Sequence, residues 1–314
     1  MRQYQIVDMH CDVISKMLQD PAISFAENKS LDANLARLIQ GQVKAQCFAI
    51  YLSENLGKPR FEHILHSIDV FRRRILNHRE MRWIRCQEDW NQLERTNHIG
   101  ALLSLEGVDG LEGDLTYLDL CFQLGVRLVG FTWNYANWAA DGILEPRNGG
   151  FTLKGRKLIE RCDELGLIMD VSHLSEAGFW ELQARTASKY IASHSNARAV
   201  CGHVRNLTDE QIKCIISRGG RIGMNFFPPF VRANTPVMIQ DLLNHIEHIC
   251  SLGGSENIML GSDFDGIDRY ITNLEHSGKY ENLRNALLLR YPEHMVQGFL
   301  YKNASIFLSD ALPK

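Results

Sequence analysis

Eight short apolar runs, each rich in β-branched residues, constrain this 314-residue chain more than any other feature. They are QIVDMH (5–10), VKAQCFAIYL (43–52), GALLSLEG (100–107), VRLVGFTW (126–133), LGLIMDVSH (165–173), YIASHS (190–195), RIGMNFF (221–227) and NIMLGSDFDG (257–266). Such runs read as strands. Most gaps between them carry a helical pattern: Phe61 to His78, Leu115 to Leu124, Leu153 to Leu165, Glu176 to Ser188, Thr208 to Arg218 and Val237 to Leu252. Thr208 and Gln211 have capping-box spacing. Two more helices are expected near Tyr280–Tyr291 and Glu293–Asp310. Strand–helix alternation implies a parallel sheet, and eight repeats over this length predict an α/β (β/α)8 TIM-type barrel, one domain over residues 1–314. An open doubly wound sheet is the alternative.

The long, turn-rich connections WNYANWAADGILEPRNGG, FPPFVRANTP and GIDRYITNLEHSGKYEN follow the fourth, seventh and eighth runs. In a barrel they lie on the C-terminal face, where active sites sit. The Gly149–Gly150 pair is a candidate lid hinge, with a plain surface loop as the equal alternative.

Polar residues collect at the ends of the same runs. The first offers His10 and Asp12, the third Glu106, the fifth His173, the sixth His194, and the eighth Asp263 and Asp265. Singly, each has an ordinary explanation as a turn residue, a helix cap or a hydrogen-bonded histidine. Together they would converge on one barrel mouth, and burying so many polar groups costs several kcal/mol unless something compensates. A metal pair compensates. Imidazole and carboxylate donors suit zinc, and also manganese, cobalt or iron. Glu106 would bridge, His10 and Asp12 would complete one ion, and His173 and His194 the other. Cys11, between two ligands, should face the opposite way. Asp8 either orients a ligand or fills a polar layer. A free carboxylate must move the water's proton; Asp263 is first choice and Asp265 the fallback.

The bulk numbers narrow the class. A formal charge of −3 argues against a nucleic-acid or anionic-membrane surface. No run approaches the roughly 18 apolar residues of a membrane helix, and the opening MRQYQIVDMHCD has no signal-peptide core. Eight scattered cysteines without C-x-x-C spacing fit a reducing cytoplasm.

The motifs DMHCD, SLEG, MDVSHLS, ASHSNARAVCGHVRN and LGSDFDG occur in this order along nearly the whole chain. In this the sequence resembles the renal (membrane) dipeptidase family of the metal-dependent amidohydrolase superfamily. The resemblance implies a binuclear zinc dipeptidase, with His10, Asp12, Glu106, His173 and His194 as ligands and Asp263 as the catalytic aspartate. It implies that Arg205 grips the carboxylate end of a dipeptide, a task that suits a planar guanidinium. Vertebrate members place a histidine where this chain has Trp133, with Asn134 beside it, so oxyanion help would come from indole or amide. The family's substrate-lining tyrosine corresponds to Phe230. The resemblance also implies a small dipeptide substrate, a tolerance for C-terminal D-residues and a homodimer. Two alternatives stand beside it: an amidohydrolase for another carboxylate-bearing substrate, such as an N-acyl amino acid, and a non-catalytic metal- or peptide-binding homologue.

Overall fold

The structure, a computed structural model, describes residues 4–53 and 56–314. Nine strands form one parallel sheet: β1 (Ile6–Asp8), β2 (Val43–Tyr51), β3 (Met81–Trp83), β4 (Ile99–Glu106), β5 (Leu128–Gly130), β6 (Ile168–Asp170), β7 (Tyr190–Ala192), β8 (Arg221–Met224) and β9 (Ile258–Leu260). The order runs β2-β1-β9-β8-β7-β6-β5-β4, and pairing of β2 with β4 closes the ring. Eight strands therefore make the barrel, one in each expected run. The open sheet is excluded by that closing pair.

β3 was not anticipated. Residues 99–101 of β4 pair with it, while residues 104–106 pair with β5, so the two share one edge of β4. Three residues carry too little periodicity to be read as a strand.

The apolar runs are explained by burial. Every residue of β4 and all but the last of β2 are buried, as parallel strands covered on both faces must be. Val7, Cys47, Leu102, Leu128, Ile168, Ile191 and Met259, one from each of seven ring strands, belong to one apolar cluster with Trp90 and Phe307. Residues drawn from all round a ring meet inside it, so the barrel is filled.

The outer helices follow the expected pattern with shifted ends. The first runs Phe61–Val70 and continues as a π-turn over Phe71–Ile75. The last is divided into Glu293–Gln297, a π-turn at Gly298–Lys302, and Asn303–Ala311. The helix Asp209–Ser217 begins at the expected capping box, Gln211 N donating to Thr208 Oγ1 at 3.3 Å and Thr208 N to Gln211 Oε1 at 2.9 Å. Among the described residues, no helix is long and apolar enough to cross a membrane.

Candidate active site

The site is built where β1 and β9 run on past their last paired residues. Asp12 N donates to Phe264 O at 2.8 Å, and Asp263 N donates to His10 O at 3.2 Å. This crosswise pairing sets His10, Asp12 and Asp263 against one another. His10 Nε2 lies 3.5 Å from Asp12 Oδ2 and 3.9 Å from Asp263 Oδ1. Gly266 makes room for them, since a Cβ there would run into Asp12 and Asp263.

Glu106 ends β4 and reaches both sides of the mouth. Its Oε2 is 3.4 Å from His10 Nε2; its Oε1 is 3.1 Å from His173 Nε2 and 3.7 Å from His194 Nε2. Two groups of potential ligand atoms each lie within 4.8 Å of one another: His10, Glu106 and His194, and His10, Asp12 and Asp263.

The outer nitrogens of His173 and His194 are tied down. His173 Nδ1 faces Asn134 Oδ1 at 2.8 Å. An amide oxygen only accepts, so Nδ1 carries the proton and Nε2 is a bare lone pair. His194 Nδ1 faces Ser193 Oγ at 2.7 Å. That hydroxyl gives its single hydrogen to Asp170 Oδ2, so it accepts from His194, whose Nε2 is bare as well. The two Nε2 atoms stand 2.8 Å apart. Two acceptors cannot stay so close without a shared proton or cation between them. His10 Nε2 and Asp12 Oδ1 are also buried without a hydrogen-bond partner among the described residues. This donor set fits a metal centre.

Charge tells the same story. Burial pushes the His173 imidazole down to about 4, with the Arg205 charge helping, and pushes His194 well below its ordinary range. Burial would also lower His10, but Glu106 and Asp12 outweigh it and raise its pKa well above normal. Glu106 resists burial because His10 and His173 hold it below the usual carboxylate range. Burial raises Asp263 to about 7, with the charges of Asp12 and Glu106 adding to it. Asn225 Nδ2 donates to Asp263 Oδ2 at 2.9 Å. His173 and Asp263 both adopt the left-handed backbone region, at φ 68° and 66°, a strain of order 1 kcal/mol for a non-glycine residue that sites of function tolerate.

A cavity of about 530 Å³ opens over this cluster, lined by Asp12, Glu106, His173, Asp263, Trp133, Asn134 and Phe230, among others. Arg205 is buried behind it. Its Nη2 donates to His194 O at 3.3 Å, its Nε lacks a hydrogen-bond partner among the described residues, and its guanidinium carbon lies 5.4 Å from the Phe230 ring centroid. No carboxylate among the described residues forms a salt bridge with it, and burial lowers its pKa to about 10.

Several expectations need refinement. Asp8, the last residue of β1, is in neither ligand group, but its Oδ1 accepts from His10 N at 3.4 Å. Its carboxylate accepts from Ser262 N at 2.8 Å, Ser262 Oγ at 2.6 Å and Tyr280 OH at 2.7 Å. Asp265 accepts from Asp32 N at 2.8 Å and Ala33 N at 3.0 Å, and meets Lys16 Nζ at 3.0 Å. The Gly149–Gly150 pair is pinned rather than free to hinge. Gly149 N donates to Asp141 Oδ2 at 2.7 Å, and Gly149 O accepts from Ser175 Oγ at 2.6 Å. Asp170, Ser193 and Asn225 were overlooked. Their signal was a polar residue at a buried strand end, read only for the residues that face the mouth.

The closed barrel and its histidine–carboxylate mouth define a metal-dependent hydrolase. The family model for membrane dipeptidases, peptidase family M19, matches residues 1–310, and the chain belongs to that family. It is 29% identical over 304 residues to an uncharacterized dipeptidase of Schizosaccharomyces pombe, covering 89% of this chain and 73% of that one. To dipeptidase 3 of Mus musculus it is 27% identical over 319 residues, 96% of this chain and 64% of the relative. The fold matches a metallo peptidase from Rhodobacter sphaeroides liganded with a phosphinate mimic of the dipeptide L-Ala-D-Ala. The TM-score is 0.90 at 23% identity, covering 97% of this chain and 98% of that one.

Proposed function

We propose that the chain is a binuclear zinc dipeptidase that cleaves the amide bond of small dipeptides, those ending in a D-residue included. One observation carries the reading: Glu106 offers its two oxygens to two different ligand groups, Oε2 to His10 and Oε1 to His173 and His194. His10, Asp12 and Glu106 would hold one cation; Glu106, His173 and His194 would hold the second. Nitrogen and oxygen donors without thiolate suit zinc, with manganese, cobalt and iron as alternatives. When bound, such a pair supplies a water that ionises near neutral pH and a Lewis acid for the scissile carbonyl.

The protein's own groups do the rest. Asp263 takes the proton from the attacking water and returns it to the leaving amine. Asn225 holds Oδ2, which leaves Oδ1 toward the reacting centre, within reach of a proton that must be both accepted and donated. Arg205 grips the substrate's terminal carboxylate through a two-bond contact that its bare Nε is able to complete. Phe230 backs the guanidinium, and Trp133 and Asn134 wall the cavity beside the scissile carbonyl. Eight unpaired cysteines are consistent with a reducing cytoplasm, and a homodimer belongs to the same reading.

Asp263→Asn is the direct test. Elemental analysis should find two metal ions per chain in both proteins, while hydrolysis of L-Ala-D-Ala falls by about 100- to 10,000-fold in the variant. Wild-type protein that cleaves no dipeptide after zinc or manganese addition, or cleaves only N-acyl amino acids, overturns the reading.

A further inference from the structure

The cavity does not end at the ligand cluster. Tyr51 and Trp133, with ring centroids 5.2 Å apart, stand at one side of it. Ser15, Gln19 and Tyr51 line both this cavity and a second recess of about 250 Å³, so the two adjoin across these side chains. Leu18, Leu52 and Leu56 line that recess together with Ser53, His63 and His66, and among the described residues no aspartate, glutamate, lysine or arginine does. Leu18 and Leu56 keep 36% and 50% of their surface exposed. Apolar side chains grouped in a concave, water-facing wall mark a binding surface rather than ordinary scatter.

The position of the recess gives it a direction. β2 and β7 lie four strands apart whichever way the ring is followed. Leu52 follows β2 and Arg205 follows β7, so the recess lies across the mouth from the guanidinium. A dipeptide held by its carboxylate at Arg205 and cleaved over Glu106 therefore points its N-terminal residue toward β2. Among the described residues this wall offers the ammonium of that residue no carboxylate, while its leucines offer the side chain an apolar surface. A neighbouring recess beside Pro59 is smaller, about 150 Å³, and carries the Asp109 carboxylate.

We infer that the leucine-lined recess takes the side chain of the residue N-terminal to the scissile bond, so that preferred substrates carry a bulky aliphatic or aromatic residue there. This rests on the dipeptidase reading above and adds the substrate class to it. Leu18 and Leu56 would be specificity determinants peculiar to this wall.

The test is a series X-Ala, with X as glycine, alanine, leucine or phenylalanine, on zinc-loaded enzyme. The kcat/KM for leucine and phenylalanine should exceed that for glycine by at least about tenfold, the usual discrimination of an apolar pocket. In the double variant Leu18→Asp/Leu56→Asp the ratio of Leu-Ala to Gly-Ala should fall by about tenfold or more. Leu18→Gln/Leu56→Gln, which adds no charge, should move the same ratio in the same direction and serves if the first variant folds poorly. A wild type that cleaves all four alike, or a ratio untouched by both variants, overturns this inference while leaving the dipeptidase reading intact. Metal-loaded wild type that cleaves none of the series overturns both.

Discussion

Ser193 shows how much of this site depends on groups that never meet substrate. Its hydroxyl hands a hydrogen to Asp170 and receives one from His194, which fixes the imidazole with its lone pair toward Glu106. Ser193→Ala should lower affinity for the metal proposed at His194 by about 10- to 100-fold, as loss of a ligand's outer partner does. Competition with a chromophoric chelator measures it; unchanged affinity would mean that Ser193 only packs. Asp263 gives a pH signature in the metal-free protein. Its carboxyl is raised to about 7 in the fold and near 3.9 when unfolded. Between those values the folded state binds the extra proton, so this residue's contribution to stability falls as pH rises. Asp263→Asn removes the penalty. Melting curves in chelator at pH 5 and pH 7 should show the variant gaining on wild type at the higher pH; parallel curves would refute the assignment. What sequence could read here were the residues pointing into the mouth, because strand ends announce themselves. Asp8 stayed open between two roles because its partners Ser262 and Tyr280 are distant in the chain. Asp170, Ser193 and Asn225 were silent because their task is set by neighbours distant in the chain.

At the scale of elements, the ring demands close approach between neighbouring strands. Gly223 in β8 and Gly261 just past β9 both lie against the Ser193 carbonyl, where a Cβ on either would overlap it. Gly223→Ala should therefore push β7 outward, destabilise the fold by about 1–3 kcal/mol and weaken metal retention through His194. Urea unfolding together with metal analysis checks both effects; a variant with normal stability would show that the strands can shift freely. The same scale explains which elements were legible. The long helices carried enough turns for periodicity to show. β3 and the four-residue helix Pro228–Val231 did not, being shorter than one clear period of any pattern. In the connection after β5, the Gly149–Gly150 pair fits a lid hinge and a plain surface loop equally well by sequence. The hydrogen bonds of that connection with the β6 connection, including Ile143 N to His173 O at 2.7 Å, make it a brace for the His173 backbone instead.

For the whole molecule, the centre joins strands from opposite sides of the ring, since its candidate ligands follow β1, β4, β6 and β7. Metal that binds only this arrangement stabilises it by mass action, about 4 kcal/mol when free metal is a thousandfold above its dissociation constant. Adding zinc to chelated protein should raise the melting temperature by several degrees, and the Ser193→Ala variant should gain less. A melting point indifferent to zinc would mean that the ligands do not act across the ring. The barrel itself was legible because eight-fold alternation is a property of the entire chain and survives errors at every boundary.

The solitary guanidinium of Arg205 has a consequence for turnover. If Arg205 holds the substrate as proposed, cleavage leaves the departing amino acid with its carboxylate intact, so the feature used for capture is still present on what must be released. A catalyst arranged this way is held back by its own output. Small organic acids in the surroundings would compete for the same seat, and flux would depend on how fast downstream consumption clears free amino acid.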